Sequence, residues 1–174
     1  LNPSSAASDV YKRQAWNNLG LAYGNRKEIT SAMACYRQAL SIDASFKPSR
    51  QNLAQALIHE KRHGDALEQF KIYSTLGTLT AKEKVIGLQG QIACLMELDR
   101  YQDGLSVADG ISEDRRLQLM ARLHVLPVLY SDDQQVQAVR QRWSDEAQEL
   151  YGLLEGLDEL SLIHISEPTR LGFI

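Results

Sequence analysis

Hydrophobic residues recur at intervals of three and four along most of the chain, and stretches that alternate apolar and polar residues are lacking. This spacing puts apolar side chains on one face of an α-helix. The clearest stripe continues over about 27 residues near the C-terminal end, enough for a helix of roughly 40 Å. Its members are Val136, Val139, Trp143, Ala147, Leu150, Leu154 and Leu157. The pattern predicts an all-α fold.

The start of this last helix is marked by its own residues. Ser131 followed by Gln134 is typical of a capping box, and Asp132 and Asp133 place negative charge in the first helical turn. We therefore predict a long amphipathic helix over residues 131–160 that caps the helices before it. A coiled-coil or inter-subunit seam is the alternative interpretation of the same stripe.

An internal repeat with a period of 34 residues runs through the first half of the chain. Small residues at repeated positions allow two antiparallel helices to approach closely, and large residues nearby fill the remaining space. The equivalent pairs are Asn18 and Asn52, Leu19 and Leu53, Gly20 and Ala54, Ala32 and Ala66, and Tyr36 and Phe70.

Residues 16–23, together with Ala32, Tyr36 and Ala39, resemble a tetratricopeptide repeat, and Ala44 stands where the signature has proline. A second unit over about residues 47–80 and a degenerate third around 85–118 continue the pattern, with Ile92 in place of a small residue. The resemblance implies a helical-repeat solenoid of about 2.5–3 repeats over residues 15–130, followed by the capping helix. It also implies a scaffold that binds a protein or peptide.

In such a solenoid the first helix of each repeat lines a concave groove. A row of amides there would bind the backbone of an extended peptide, because an amide both donates and accepts hydrogen bonds. Asn18 and Asn52 would form a ladder like that of O-linked N-acetylglucosamine transferases. Polar groove residues without a dedicated ligand are the alternative. The candidates are Asn17, Asn18, Leu21, Asn25, Gln51, Asn52, Gln55, Ile58, Gln89 and Met96.

One kind of peptide site is disfavoured by the same residues. Repeats that grip a C-terminal carboxylate place lysine and arginine on the groove face, whereas Asn17 and Gln51 stand at those positions here. An amide lacks the charge that makes such hydrogen bonds strong.

The segment 125–143 resembles the junction that follows the repeats in bacterial SPINDLY-like proteins, relatives of the O-linked N-acetylglucosamine transferases. The matching residues are Leu126, Pro127, Tyr130, Arg140, Arg142 and Trp143. The resemblance implies, as the alternative function, the substrate-recruiting arm of a protein O-glycosyltransferase whose catalytic domain is missing from this fragment.

Both ends have a composition unlike the rest of the chain. Residues 1–14 and 161–174 resemble translated sequencing-adapter tails, so we interpret both as non-native and leave them out of the predicted fold. A natural terminus without regular structure is the alternative.

Composition and charge narrow the classes of function. The net charge of −3 and the pI of about 5.8 do not favour nucleic-acid binding, and no apolar run is long enough to cross a membrane. We expect a cytoplasmic protein of undetermined oligomeric state. Cys35 and Cys94 are expected to be buried thiols, with a disulfide as the alternative.

No catalytic constellation stands out, and no metal or other cofactor is expected. Residues 59–63 spell H-E-x-x-H, the pattern of zinc proteases, which needs both histidines on one continuous helix. The repeat register instead places a turn between His59 and His63. His124 is interpreted as a partly buried core residue. The chain is not expected to be an enzyme.

Overall fold

The computed structural model describes residues 3–77, 79–111, 114–125 and 132–154. Within these residues the chain forms helices that pack in successive pairs, and no strand occurs. The predicted all-α, helical-repeat fold is confirmed. The helices are α1 (Pro3–Asn25), α2 (Ile29–Ile42), α3 (Lys47–His59), α4 (His63–Thr75), α5 (Ala81–Glu97), α6 (Tyr101–Asp109), α7 (Arg115–Leu123) and α8 (Asp133–Leu154).

Three turns of the same design set the repeat. Two residues after the end of each first helix, a residue has positive φ: 62° at Lys27, 58° at Lys61 and 54° at Asp99. In each turn the next N–H donates back to a carbonyl five residues earlier, as Glu28 does to Tyr23 at 3.0 Å. Such a left-handed residue closes a helix and satisfies its last carbonyls. The turns define three helix pairs, α1–α2, α3–α4 and α5–α6, and fix which residues are equivalent.

The third pair is longer than the second, because the turn residues Lys61 and Asp99 are 38 residues apart whereas Lys27 and Lys61 are 34 apart. The four additional residues form an extra first turn of α5. Thr80 accepts a hydrogen bond from the Glu83 N–H, and the Glu83 carboxylate accepts one from the Thr80 N–H, so the capping box is present. Lys47 of α3 donates to the same carboxylate at 3.0 Å. The Thr80 N–H and then Lys47 lower the pKa of Glu83 to about 2. This turn therefore also ties α5 to α3.

A small residue faces an aromatic ring in the first two pairs. A Cβ atom at Gly20 would lie 2.4 Å from the Tyr36 ring, so the ring occupies the space that a side chain would need. Ala54 and Phe70, the equivalent residues, are buried together in the second pair.

The third pair keeps this packing with the sizes exchanged. Ile92 on α5 replaces the small residue, and Ala108 on α6 replaces the aromatic residue. Both side chains are buried in one cluster. The large residue that interrupts the repeat signature is therefore accommodated by its partner helix.

The beginning of α1 differs from the expectation. We expected regular structure from Ala15 onward, but α1 begins at Pro3. Arg13 pairs with Asp43, and its guanidinium lies 4.9 Å from the centre of the Phe46 ring. Helical structure therefore extends into the segment interpreted as a foreign tail, although its foreign origin stays a prediction. Residues 161–174 lie outside the described residues.

The last helix packs on α7, and its role as a cap of the repeats stays a prediction. Leu150 and Leu154 are buried against Leu119, with Leu123 beside them. The Asp132 carboxylate accepts from the Gln135 N–H at 2.7 Å and so takes the capping position. Ser131, which we predicted as the cap, and residues 155–160 lie outside the described residues.

Two glycines of α1 test the close contact in the first pair. Gly20→Ala places a methyl carbon 2.4 Å from the Tyr36 ring and should cost about 1–3 kcal/mol of unfolding free energy. Gly24→Ala meets nothing nearer than 3.8 Å and should stabilise the helix by up to about 1 kcal/mol. Urea denaturation followed by circular dichroism measures both. Equal effects of the two substitutions would contradict this packing.

Candidate binding groove

An apolar cavity of about 1220 Å³ opens between α5 and α7. We call it the binding groove. Its side chains are mostly aliphatic, and Met120 on α7 is 37% exposed within it. Ile58 of α3, His63 of α4 and Leu154 of α8 also line it. The main lining residues are Val85, Leu88, Gln89, Ile92 and Met96 of α5 and Leu117, Met120 and Ala121 of α7, with His124 after it.

One of the two cysteines, Cys94, lines the binding groove and is buried. Burial, and secondarily the nearby Glu97 carboxylate, raises the pKa of the Cys94 thiol to about 11. A thiol with this pKa stays protonated near neutral pH and is a poor nucleophile. Burial also raises the pKa of Cys35. Both cysteines are buried and free, as predicted.

The two histidines of the H-E-x-x-H string lie on different helices. His59 ends α3, His63 begins α4, and Lys61 between them has a positive φ. The predicted turn is confirmed, and it excludes the single helical face that this zinc motif needs. Among the described residues, no three His, Cys, Asp or Glu side chains come together in a way that could hold a metal ion.

A buried charge network holds α7, one wall of the groove, against α8. Glu146 is 8% exposed and accepts from Arg122 at 2.6 Å and from Arg142 at 2.8 Å. Arg142 also donates to the backbone carbonyls of Arg122 and Val125 near the end of α7. Asp109 of α6 pairs with Arg122 from the other side. Arg122 of α7 thus pairs with one carboxylate on α6 and another on α8, so the network joins three helices.

The predicted row of amides is only partly open to a ligand. Asn17 is 3% exposed, and its side-chain oxygen accepts from Ser49 at 2.9 Å and from Asn52 at 3.0 Å. Asn17 therefore joins α1 to α3 inside the stack, and its assignment to the peptide surface was wrong. Asn52 uses one of its amide hydrogens for this bond, and the predicted Asn18–Asn52 ladder stays a prediction.

The other predicted groove residues fall into three groups. Ile58, Gln89 and Met96 line the binding groove. Gln51 and Asn52 line a second, open hollow of about 620 Å³ beside Phe46 and Glu83. The remaining candidates line neither cavity and lie exposed on the first two pairs: Asn18, Leu21, Asn25 and Gln55.

Comparison with known protein families identifies the first helix pair. Residues 14–46 match the tetratricopeptide repeat. No curated protein and no solved structure matches the chain. None of the described helices is long and apolar enough to cross a membrane.

The tetratricopeptide match does not extend to the junction that resembles SPINDLY-like proteins. Leu126, Pro127 and Tyr130 lie outside the described residues. Arg142 holds α8 on α7, and Trp143 donates to the Leu123 carbonyl at 3.3 Å. These contacts give both residues a structural role without any transferase, and the resemblance stays a prediction.

Sequence reasoning missed the α7 wall of the groove. The sequence did carry a pattern that predicts this wall. Met120 and Ala121 follow Leu117 by three and four residues, which places all three on one face of a helix. Sequence reasoning also misplaced His124, which is exposed at the end of α7 and contacts the Met120 carbonyl at 2.6 Å. The expected partial burial of this histidine was wrong.

Two glutamates of α8 test whether the buried network holds the wall. Glu146→Gln leaves Arg122 and Arg142 without their shared carboxylate and should cost about 3 kcal/mol of unfolding free energy. Glu149→Gln is the matched control, because Glu149 also binds an arginine, Arg115, through two oxygens but in an exposed pair. It should cost less than about 1 kcal/mol. Chemical denaturation measures both, and similar losses would refute the special role of Glu146.

Proposed function

We propose that this chain is a protein-interaction module that binds an apolar segment of a partner protein in the binding groove. The tetratricopeptide repeat at residues 14–46 supports a role in protein–protein interaction in general. The groove between α5 and α7 supports the more specific assignment of where the partner binds.

The observation that carries this proposal is the size and apolar character of the groove. Its volume of about 1220 Å³ exceeds the roughly 300–1000 Å³ common for small-molecule pockets. The 17 residues of α5 give one wall a length of about 25 Å. An aliphatic trough of this length fits a peptide segment with several apolar side chains.

Charges of both signs surround the groove. Lys84 and Arg116 lie among its lining residues, as do Glu97 and Asp114. An apolar centre with a polar rim is the usual anatomy of a protein interface, in which the centre supplies most of the affinity and the rim supplies orientation. The expected partner segment is therefore amphipathic, with apolar residues recurring every three or four positions.

The amide row supports an extended peptide less well. Such a peptide needs amides whose donors and acceptors are open to its backbone. Asn17 and Asn52 instead bond to each other across the first two helix pairs. Asn17 and Asn52 thus contribute to stacking of the repeats.

Peptide selection tests the proposal. Peptides from a random displayed library, enriched on the full chain, should bind Met120→Asp at least about tenfold more weakly, because a charge then enters the apolar centre. Leu98→Asp is the control, since Leu98 is 38% exposed, like Met120, but does not line the groove. Fluorescence anisotropy measures the affinities, and circular dichroism checks that both variants fold.

Two results would contradict the assignment of the peptide-binding site to the binding groove. Enriched peptides that bind the two variants equally well would place the site elsewhere. Failure to enrich any peptide on the native chain would remove the support for a peptide-binding role.

A further inference from the structure

The sulfur-containing side chains differ in how far they are exposed to solvent. The chain has three methionines and two cysteines, and the structure describes all five. Met33 and Cys35 are each 5% exposed, and Cys94 is fully buried. Met96 is half-buried, whereas Met120 is 37% exposed and lines the binding groove. Of the five, Met120 is therefore the most accessible to a solute.

The position of Met120 on α7 explains this exposure. Leu119 packs on α8, and Ala121 is buried beside α5. Because successive residues of a helix point about 100° apart, Met120 lies between these two contacts, and its side chain faces the groove. The other methionine of the groove, Met96, is held differently. Its methyl carbon would lie 2.6 Å from a Cβ atom at Gly104, so its end packs on α6.

The two thiols are poor competitors of Met120 for a peroxide. A peroxide oxidises the thiolate form of cysteine rather than the protonated thiol. Burial, and secondarily the Glu97 carboxylate, raises the pKa of Cys94 to about 11, and burial also raises the pKa of Cys35. Both thiols therefore stay protonated near neutral pH. A thioether has no proton to lose, so exposure decides which methionine reacts first.

We propose that Met120 is a site of reversible oxidation, and that its sulfoxide weakens binding of the partner segment in the binding groove. Hydrogen peroxide transfers one oxygen atom to the sulfur: the O–O bond breaks, an S–O bond forms, and the peroxide is reduced to water. A methionine sulfoxide reductase with a dithiol reverses the step. The sulfoxide oxygen then leaves as water, and the dithiol is oxidised to a disulfide.

The sulfoxide changes the groove because it is polar among aliphatic side chains. Leu88, Leu117 and Ala121 offer its oxygen no side-chain hydrogen-bond donor. In the open groove water hydrates this oxygen, and a bound apolar segment removes the water without replacing its hydrogen bonds. The fold should be retained, since Met120 belongs to none of the three buried clusters of the described residues. The effect on binding rests on the proposed function of the groove.

Oxidation rates test the site itself. The full chain is treated with hydrogen peroxide in native buffer, and peptide mass spectrometry follows the sulfoxide at each methionine. Met120 should react at least about tenfold faster than the buried Met33, and also faster than the half-buried Met96. In concentrated urea, where all three are exposed, the rates should become equal. Equal rates in native buffer would overturn the proposal.

Peptide affinity tests the effect on binding. Complete oxidation of Met120 should weaken the peptides selected on the native chain by about tenfold, because a polar oxygen then lies in the apolar centre. Treatment with methionine sulfoxide reductase and dithiothreitol should restore the affinity. Met120→Leu should no longer respond to peroxide, whereas the matched variant Met96→Leu should still respond. Fluorescence anisotropy compares each variant with its own untreated sample.

The outcomes separate this proposal from the proposed function. Peptides that bind the oxidised chain as tightly as the native chain, or a Met120→Leu variant that still responds, would overturn the proposal and leave the binding groove intact. Loss of helical circular dichroism on oxidation would also overturn it, because weaker binding would then follow from unfolding. Failure to enrich any peptide would contradict the proposed function and the effect on binding, while the oxidation rates would still decide whether Met120 is the reactive site.

Discussion

The close approach of helices at small residues is the constraint on which this structure depends. Gly20 lies against the Tyr36 ring within the first pair, and Gly90 of α5 lies against the Phe70 ring of the preceding pair. Any side chain at either glycine would occupy the same space as an aromatic ring. Contact between a glycine and an aromatic ring therefore joins two helices within a pair and also joins one pair to the next. The resulting core continues from α2 to α5.

The binding groove exists because one face of α7 packs on α8 while another face of α7 lines the groove opposite α5. On α7, Leu119 is fully buried and packs against α8, whereas the next residue, Met120, is exposed toward α5. The shared carboxylate of Glu146 holds α7 and α8 together. On the other side of α7, Ala121 is buried in one cluster with Ile92 of α5, whereas Met120 remains exposed in the groove.

Local patterns in the sequence predicted the fold better than the site. Residue spacing was sufficient for the helix pairs and for the turn between His59 and His63, because turn chemistry is decided within a few residues. Asn17 could not be assigned from spacing, since its burial depends on Ser49 and Asn52 in the next pair. The pairing of Arg142 with Glu146 and Arg122 likewise needs α7 and α8 to be placed first. The repeat pattern did not predict how Ile92 fits, because Ala108, the small residue that makes room for its side chain, lies on another helix.

The most direct test of the account is to map the contact surface of a selected peptide by NMR on methyl-labelled chain. The methyl signals of Leu88, Leu117 and Met120 should shift on titration, because these groups line the binding groove. Leu21 should stay unchanged, since it lies among the exposed residues of α1. Shifts confined to Leu21 and its neighbours, with the groove methyls unmoved, would contradict the account and return the site to the row of amides.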